Sequence, residues 1–305
     1  MPYCIHPANS VSGIKRGFVW IVGAAFMFFS ALPALSQEQR HVALDGQSNF
    51  RDIGGYETTD GRIVRWGEIY RSGELPRLTD ADIAVLDGLG LSTVVNFLTS
   101  AEIEDRGPDR LPKGAHEISA PITGGDGGDE ELTVVVTEAR RTGDFSKVPV
   151  ELNEQLHQLL ITEDEAKQQY ARFLRSAMDP DQRPLVFHCS HGVHRTGTAA
   201  ALLLSALGVP WETVREDYLL SNTYRADEIE RRISELRALA AENQGIPESD
   251  VDTTNLEAFY RLQGSYIDAS LSAMLAGYDS VEGFLLNGLG LTEQELETLR
   301  AELLQ

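Results

Sequence analysis

Cys189 and Arg195 stand six positions apart in LVFHCSHGVHRTGTAAALLLSALG (185–208), where an apolar run gives way to a polar turn and then to an apolar helical run. A strand that ends in a tight loop at a helix start leaves backbone N–H groups unpaired and adds the positive end of the helix dipole, which together make an anion site. The amides of Ser190, His191, Gly192, Val193, His194 and Arg195 are the candidate donors, with phosphate as the guest that suits them. The same field lowers the pKa of a thiol at the loop's start from about 8.5 toward roughly 3.5–7.5. Cys189 is therefore a candidate nucleophile in its thiolate form. Arg195, with a planar fork of donors, is the candidate for holding the equatorial oxygens of a phosphoryl group in a trigonal bipyramid. Thr196 is placed to donate its hydroxyl to the sulfur and ease the thiolate's departure. Gly192 serves the tight curvature of the loop and Gly197 close packing of the helix.

The histidines take different roles. His188, at the strand end, is expected to hydrogen-bond inward and hold the loop. His191 is expected to face solvent while its amide binds, and His194 to hold an anion or move a proton. A zinc site needs three or four ligands in a suitable array, whereas His188, Cys189, His191 and His194 curl around one short loop, so neither a metal nor a cofactor is expected. Departure of an alkyl or aryl oxygen requires a general acid near the loop. Asp126 first, and Asp129 second, in TGGDGGD (123–129) after a strand-like piece, are the candidates.

Such a loop must be mounted on strands and helices. HVAL (41–44) and RIVRWGEIYR (62–71), broken by GGY and DG, predict strands and a hairpin. TDADIAVLDG (79–88) predicts a helix with a capping box at Thr79, STVVNF (92–97) a buried strand and HEISAPI (116–122) another. Residues 133–169 carry mixed helical patterns and read as an insertion over the site. EAKQQYARFLRSAM (165–178) is amphipathic, and 184–187 and 198–207 predict the strand and helix around the loop. Helices follow over 211–220, 226–241, 264–276, 280–286 and 292–304. Alternating strands and helices without repeats predict one α/β domain.

Lys15 and Arg16 precede an apolar run that ends in small residues before Gln37, which predicts a signal peptide over 1–36 and a mature domain over 37–305. That leader carries Cys4, leaving Cys189 as the one thiol in a periplasmic or secreted compartment. The formal charge of −21 repels nucleic acid and, once the leader is cleaved, anionic membranes. An anionic substrate must then be captured by a local positive site.

The loop HCSHGVHRTG resembles the signature of the cysteine-dependent protein tyrosine phosphatase superfamily. NFRDIGGY (49–56), GEIYRSGEL (67–75), LTDADIAVL (78–86), DYLLSN (217–222) and YDSVEGFLLNGLGLTEQELETLR (278–300) resemble its bacterial branch of secreted tyrosine and lipid phosphatases. The resemblance implies a single-domain α/β fold, its central sheet flanked by helices with a helical lid that suits 133–169. It also implies a phospho-cysteine intermediate on Cys189 and transition-state binding by Arg195. Where that branch has lysine and aspartate before the arginine, this chain has Val193 and His194, which weakens the expectation of phosphoinositide activity. The loop is also similar to that of RNA 5′-triphosphatases of capping enzymes, although export and an acidic surface oppose an RNA substrate.

The expected activity is hydrolysis of phosphomonoesters on a phosphorylated protein or a small molecule, with phosphotyrosine or dual specificity foremost. A small phosphoanhydride or a phosphoinositide is the alternative substrate. A silent phospho-ligand reader is the alternative from another class, opposed by the presence of both Cys189 and Arg195.

Overall fold

The computed structural model describes residues 39–123 and 130–305. The expected leader, 1–36, and the candidate acids Asp126 and Asp129 lie outside them.

Five short strands form the sheet: β1 (Arg51–Asp52), β2 (Ile69–Ser72), β3 (Thr93–Asn96), β4 (His116–Ser119) and β5 (Leu185–His188), in the order β1-β2-β5-β3-β4. All pairs are parallel except β1 with β2. Strands of period two send alternate residues to opposite faces. Tyr70, Val94 and Val186 accordingly join one cluster, with Leu86 of helix α1 (Asp80–Leu89), while Ile69, Val95, Leu185 and Phe187 join the larger cluster on the other face. Thr79 and Asp82 make the expected capping box. The large cluster is filled by α5 (Asp164–Met178), through Tyr170, Phe173 and Leu174, and by α6 (His194–Ala206), whose Ala199–Leu204 run is wholly buried.

Several expectations need correction. HVAL forms no ladder, only a bridge from His41 to Arg51, and of RIVRWGEIYR only the last part is strand, Ile63 and Val64 bridging to Glu57 and Leu304. Helix α6 begins four residues before Thr198, so His194, Arg195 and Thr196 form its first turn. Apolar periodicity could not show this, because those polar residues face a site rather than a core.

The expected lid over 133–169 is divided. Helices α3 (Glu130–Thr142) and α4 (Leu152–Thr162) fall within it, but Leu160 and Ile161 of α4 belong to the main core, as does α5. After α7 (Trp211–Tyr224) come α8 (Ala226–Gln244) and α9 (Thr254–Tyr260), the latter not anticipated. A satellite core of Ala139, Phe145, Val148, Leu152, Ile229, Ile233, Leu236 and Leu256 ties α3, α8 and α9 into a cap. Helices α10 (Gly264–Tyr278) and α11 (Glu293–Leu303) complete the body.

Candidate active site

β5 is flanked by β2 and β3, with Ser72 and Asn96 both opposite His188, so Cys189 emerges at the carboxyl edge of the central strand. Crevices at that edge are the general location of sites in open α/β sheets. Gly192 has φ +67°, and a Cβ there would collide with the backbone of Ser72; Gly197 meets the Tyr218 ring, where a Cβ would stand 2.7 Å from Cδ2. The loop therefore curls as its sequence required, pressed against β2.

Cys189 is 3 % exposed. Burial raises its pKa, but the Arg195 charge, the Thr196 hydroxyl and the amides of Thr196 and Val193 outweigh it, and the net shift is downward from 9.0. The buried Thr196 hydroxyl has no well-aligned hydrogen-bond partner among the described residues, and its contact with the sulfur favours the thiolate.

Arg195 is the more firmly held of the pair. Its Nη1 donates to Glu102 Oε2 (2.8 Å) and to the carbonyls of Phe97 (3.1 Å) and Ile122 (2.9 Å), and its Nη2 to Glu102 Oε1 (2.6 Å). Glu102 lies on α2 (Ser100–Arg106), where it also closes a capping box with Thr99. Burial alone would raise its pKa, yet Arg195 and Thr99 bring it below 4.5. Of the five guanidinium donors, the Nε–H and the second Nη2–H have no partner among the described residues, and this edge can take two phosphate oxygens.

His188 has a buried partner that sequence reasoning missed. Its Nε2 lies 2.7 Å from Asp109 Oδ2, both side chains buried. Burial lowers the His188 pKa, but Asp109 more than restores it, so the imidazolium is favoured directly behind the thiolate. Asp109 also accepts from the Leu75 amide and the Asn96 side chain.

Beneath the loop, Asn49 Nδ2 donates to the carbonyls of His191 and Gly192 (both 3.1 Å), and Arg71 Nη2 to that of Gly192 (3.0 Å). A peptide plane whose carbonyl is drawn outward turns the following N–H inward, so these two side chains aim the loop amides. Asp217 of α7 joins Arg71 (2.5 Å) and Arg51 (3.2 Å), and Tyr56 donates to it (3.0 Å). Burial and the neighbouring Arg51 charge bring Arg71 down to about 10, so it stays cationic at neutral pH, and the buried trio keeps one net positive charge under the loop. The sequence carried little signal for these residues, since Arg51, Arg71 and Asp217 each stand among other polar residues, such as Asn49 and Asp52, Ser72 and Glu74, and Arg215 and Glu216.

His191 is exposed, and the Ser190 carbonyl accepts from the Glu74 amide. His194 Nδ1 lies 3.2 Å from Nε2 of His157, a buried residue of α4 that also reaches Tyr218 and Ser270. Burial first, then Arg225 and Arg195, lower the His194 pKa, so it is neutral at neutral pH. A neutral imidazole can donate or accept a hydrogen bond but does not begin as an imidazolium acid. The loop opens into a cleft of about 470 Å³ bounded by α3, α4, α8 and α9.

The fold and the cysteine–arginine loop are those of a tyrosine phosphatase. Residues 42–305 match the tyrosine phosphatase family, and the chain belongs to it. A Cupriavidus necator protein that bears a tyrosine-protein phosphatase name is 33 % identical over 262 residues, covering 84 % of this chain and 87 % of its own. The triple specificity protein phosphatase PtpB of Mycobacterium tuberculosis is 28 % identical over 278 residues, 86 % of this chain and 98 % of its own. A tyrosine-protein phosphatase of Nostoc commune is 27 % identical over 237 residues, 76 % of this chain and 73 % of its own. The protein is thus a phosphatase of the protein-tyrosine-phosphatase type.

Proposed function

We propose that the chain hydrolyses phosphomonoesters, phosphotyrosine foremost, through a phospho-cysteine on Cys189. One observation carries this reading: a buried thiol with a lowered pKa shares a loop with a guanidinium whose free edge lines the same cleft. The Cys189 thiolate attacks phosphorus, and the phosphorus–oxygen bond to the leaving group breaks as the sulfur–phosphorus bond forms. The loop amides and the Nε/Nη2 edge of Arg195 take the charge on the equatorial oxygens. Water then attacks the phospho-cysteine, returning the thiolate and releasing phosphate.

The proton for the leaving oxygen is assigned to Asp126. It lies four residues after Ile122, whose carbonyl accepts from Arg195, and four residues of chain reach at most about 14 Å. The neutral state of His194 supports the same assignment. With residues 1–36 as an export signal, the enzyme works in the periplasm or outside the cell.

Hydrolysis of p-nitrophenyl phosphate, with a phosphoenzyme trapped by acid quench from a labelled substrate, tests the reading. Cys189→Ser should abolish both while the fold persists. Turnover that survives Cys189→Ser would refute the mechanism.

A further inference from the structure

Although the chain carries a formal charge of −21, the cleft in front of Cys189 is lined by Arg106, Arg140, Arg225, Arg231 and Arg232 in addition to Arg195. Among the described residues two carboxylates, Glu102 and Glu228, share that lining; Glu102 is committed to Arg195, and Arg106 pairs with Glu74 from outside the lining. Glu228 takes Nε and Nη2 of Arg225, leaving its Nη1 without a partner among the described residues. Arg231 and Arg232 divide one carboxylate, Glu235, between them. The Arg140 guanidinium stands 5.4 Å over the Phe259 ring and has no carboxylate partner among the described residues.

These cations are close to the catalytic loop. Arg106, Arg140 and Arg225 line the same cleft as Cys189, His191 and His194, and at His194 the Arg225 charge acts ahead of that of Arg195. Arg225 and Arg140 therefore stand on the cap side of the cleft into which the loop opens. The lining also carries apolar groups, Leu156, Ile229, Leu262 and the rings of Phe259 and Tyr260, beside the polar Thr137 and Asn153. Among the described residues Arg140 has no carboxylate and Arg231 and Arg232 share one, so like charges in the cleft repel one another and a bound anion relieves that repulsion.

We propose that Arg225 and Arg140, backed by Arg232, form a second anion subsite across the cleft from the Cys189 loop, selecting phosphotyrosine peptides with an acidic or phosphorylated neighbour. The proposal rests on the phosphatase reading above and adds the substrate class. An aromatic ring bearing one phosphate suits the rings and aliphatic groups of this lining.

Matched phosphotyrosine peptides with glutamate or glutamine beside the phosphotyrosine test it, with p-nitrophenyl phosphate reporting separately on the phosphatase reading. The glutamate peptide should have a kcat/KM about tenfold higher, the scale of one hydrogen bond to a charged group, and the advantage should shrink as salt is raised. In Arg140→Ala the ratio should fall toward one, and in Arg140→Glu it should invert; Arg225→Met should also lower it. Calorimetric titration of Cys189→Ser with the two peptides reads the same preference without turnover. Equal values for the two peptides in the wild type, or a ratio unmoved in Arg140→Glu, would overturn the subsite. A soluble inositol bisphosphate preferred over the glutamate peptide would overturn the peptide assignment. Loss of p-nitrophenyl phosphate turnover alone would strike the phosphatase reading and leave the binding titration to decide the subsite.

Discussion

Glu102 grips Arg195 through two parallel bonds, 2.8 Å to Nη1 and 2.6 Å to Nη2, and so turns the opposite edge of the guanidinium toward the cleft. The carboxylate thus orients the phosphate ligand. Glu102→Gln keeps the shape and the helix cap but removes the charge-assisted pair. Hydrogen bonds to charged groups are worth about 1.5–3 kcal/mol, so kcat/KM should fall roughly tenfold to a hundredfold, with vanadate inhibition weakened in parallel. Steady-state kinetics together with an unchanged circular dichroism spectrum checks this.

Asn49 and Arg71 hold the loop from below by its carbonyls. Asn49→Ala frees the His191 peptide plane and leaves that of Gly192 to Arg71 alone, without touching Cys189 or Arg195. Oxyanion affinity should drop about tenfold, the cost of leaving a buried carbonyl unpaired being about 1–3 kcal/mol. Vanadate titration measures it, and thiolate reactivity at fixed pH separates loop disorder from loss of the nucleophile.

Asp217 balances two buried arginines. Removing one partner of a buried charge cluster costs about 3–5 kcal/mol, so Asp217→Asn should lower the urea midpoint sharply. Burial alone would raise the Asp217 pKa, but Arg51 and Arg71 drive it well below 3.8. A depressed carboxylate stabilises fully above its unfolded pKa and loses that contribution as pH falls through the folded one. The gap between wild type and variant should therefore be complete at neutral pH and close only in strong acid.

Cys189 should titrate below 9.0, despite burial, because Arg195, Thr196 and the loop amides favour the thiolate. Iodoacetamide modification as a function of pH, resolved by peptide mass so that Cys4 is counted apart, gives the midpoint. Thr196→Val should move it up. Asp109→Asn should as well, since His188 then loses the carboxylate that keeps it protonated behind the sulfur.

Much of this was legible before any coordinates. The 185–208 run predicts strand, loop and helix from a change of residue pattern over a few positions, and β5, the loop and α6 follow it apart from the helix start. Amphipathic 165–178 and the Thr79 capping box were equally local. Helix α4 is apolar enough to serve core and cleft alike, as Leu156, Leu160 and Ile161 in the core and Leu152, Asn153 and Leu156 in the cleft lining show, and its spacing does not say which. Helix α9, seven residues long, carries too little periodicity to be seen.

By itself the sequence determined the chemistry of the loop, since Cys189, Gly192, Arg195 and Thr196 are neighbours in the chain and six residues of backbone can curl around one anion. The tertiary structure alone decided what governs them. Glu102 comes 93 positions before Arg195, and Asp109 79 before His188. Asn49 lies 142 positions from His191, and the cap's arginines arrive on α3 and α8. The physical reason is that local pattern sets which face of an element is buried, whereas strand order, register and helix packing set which distant charges share a site.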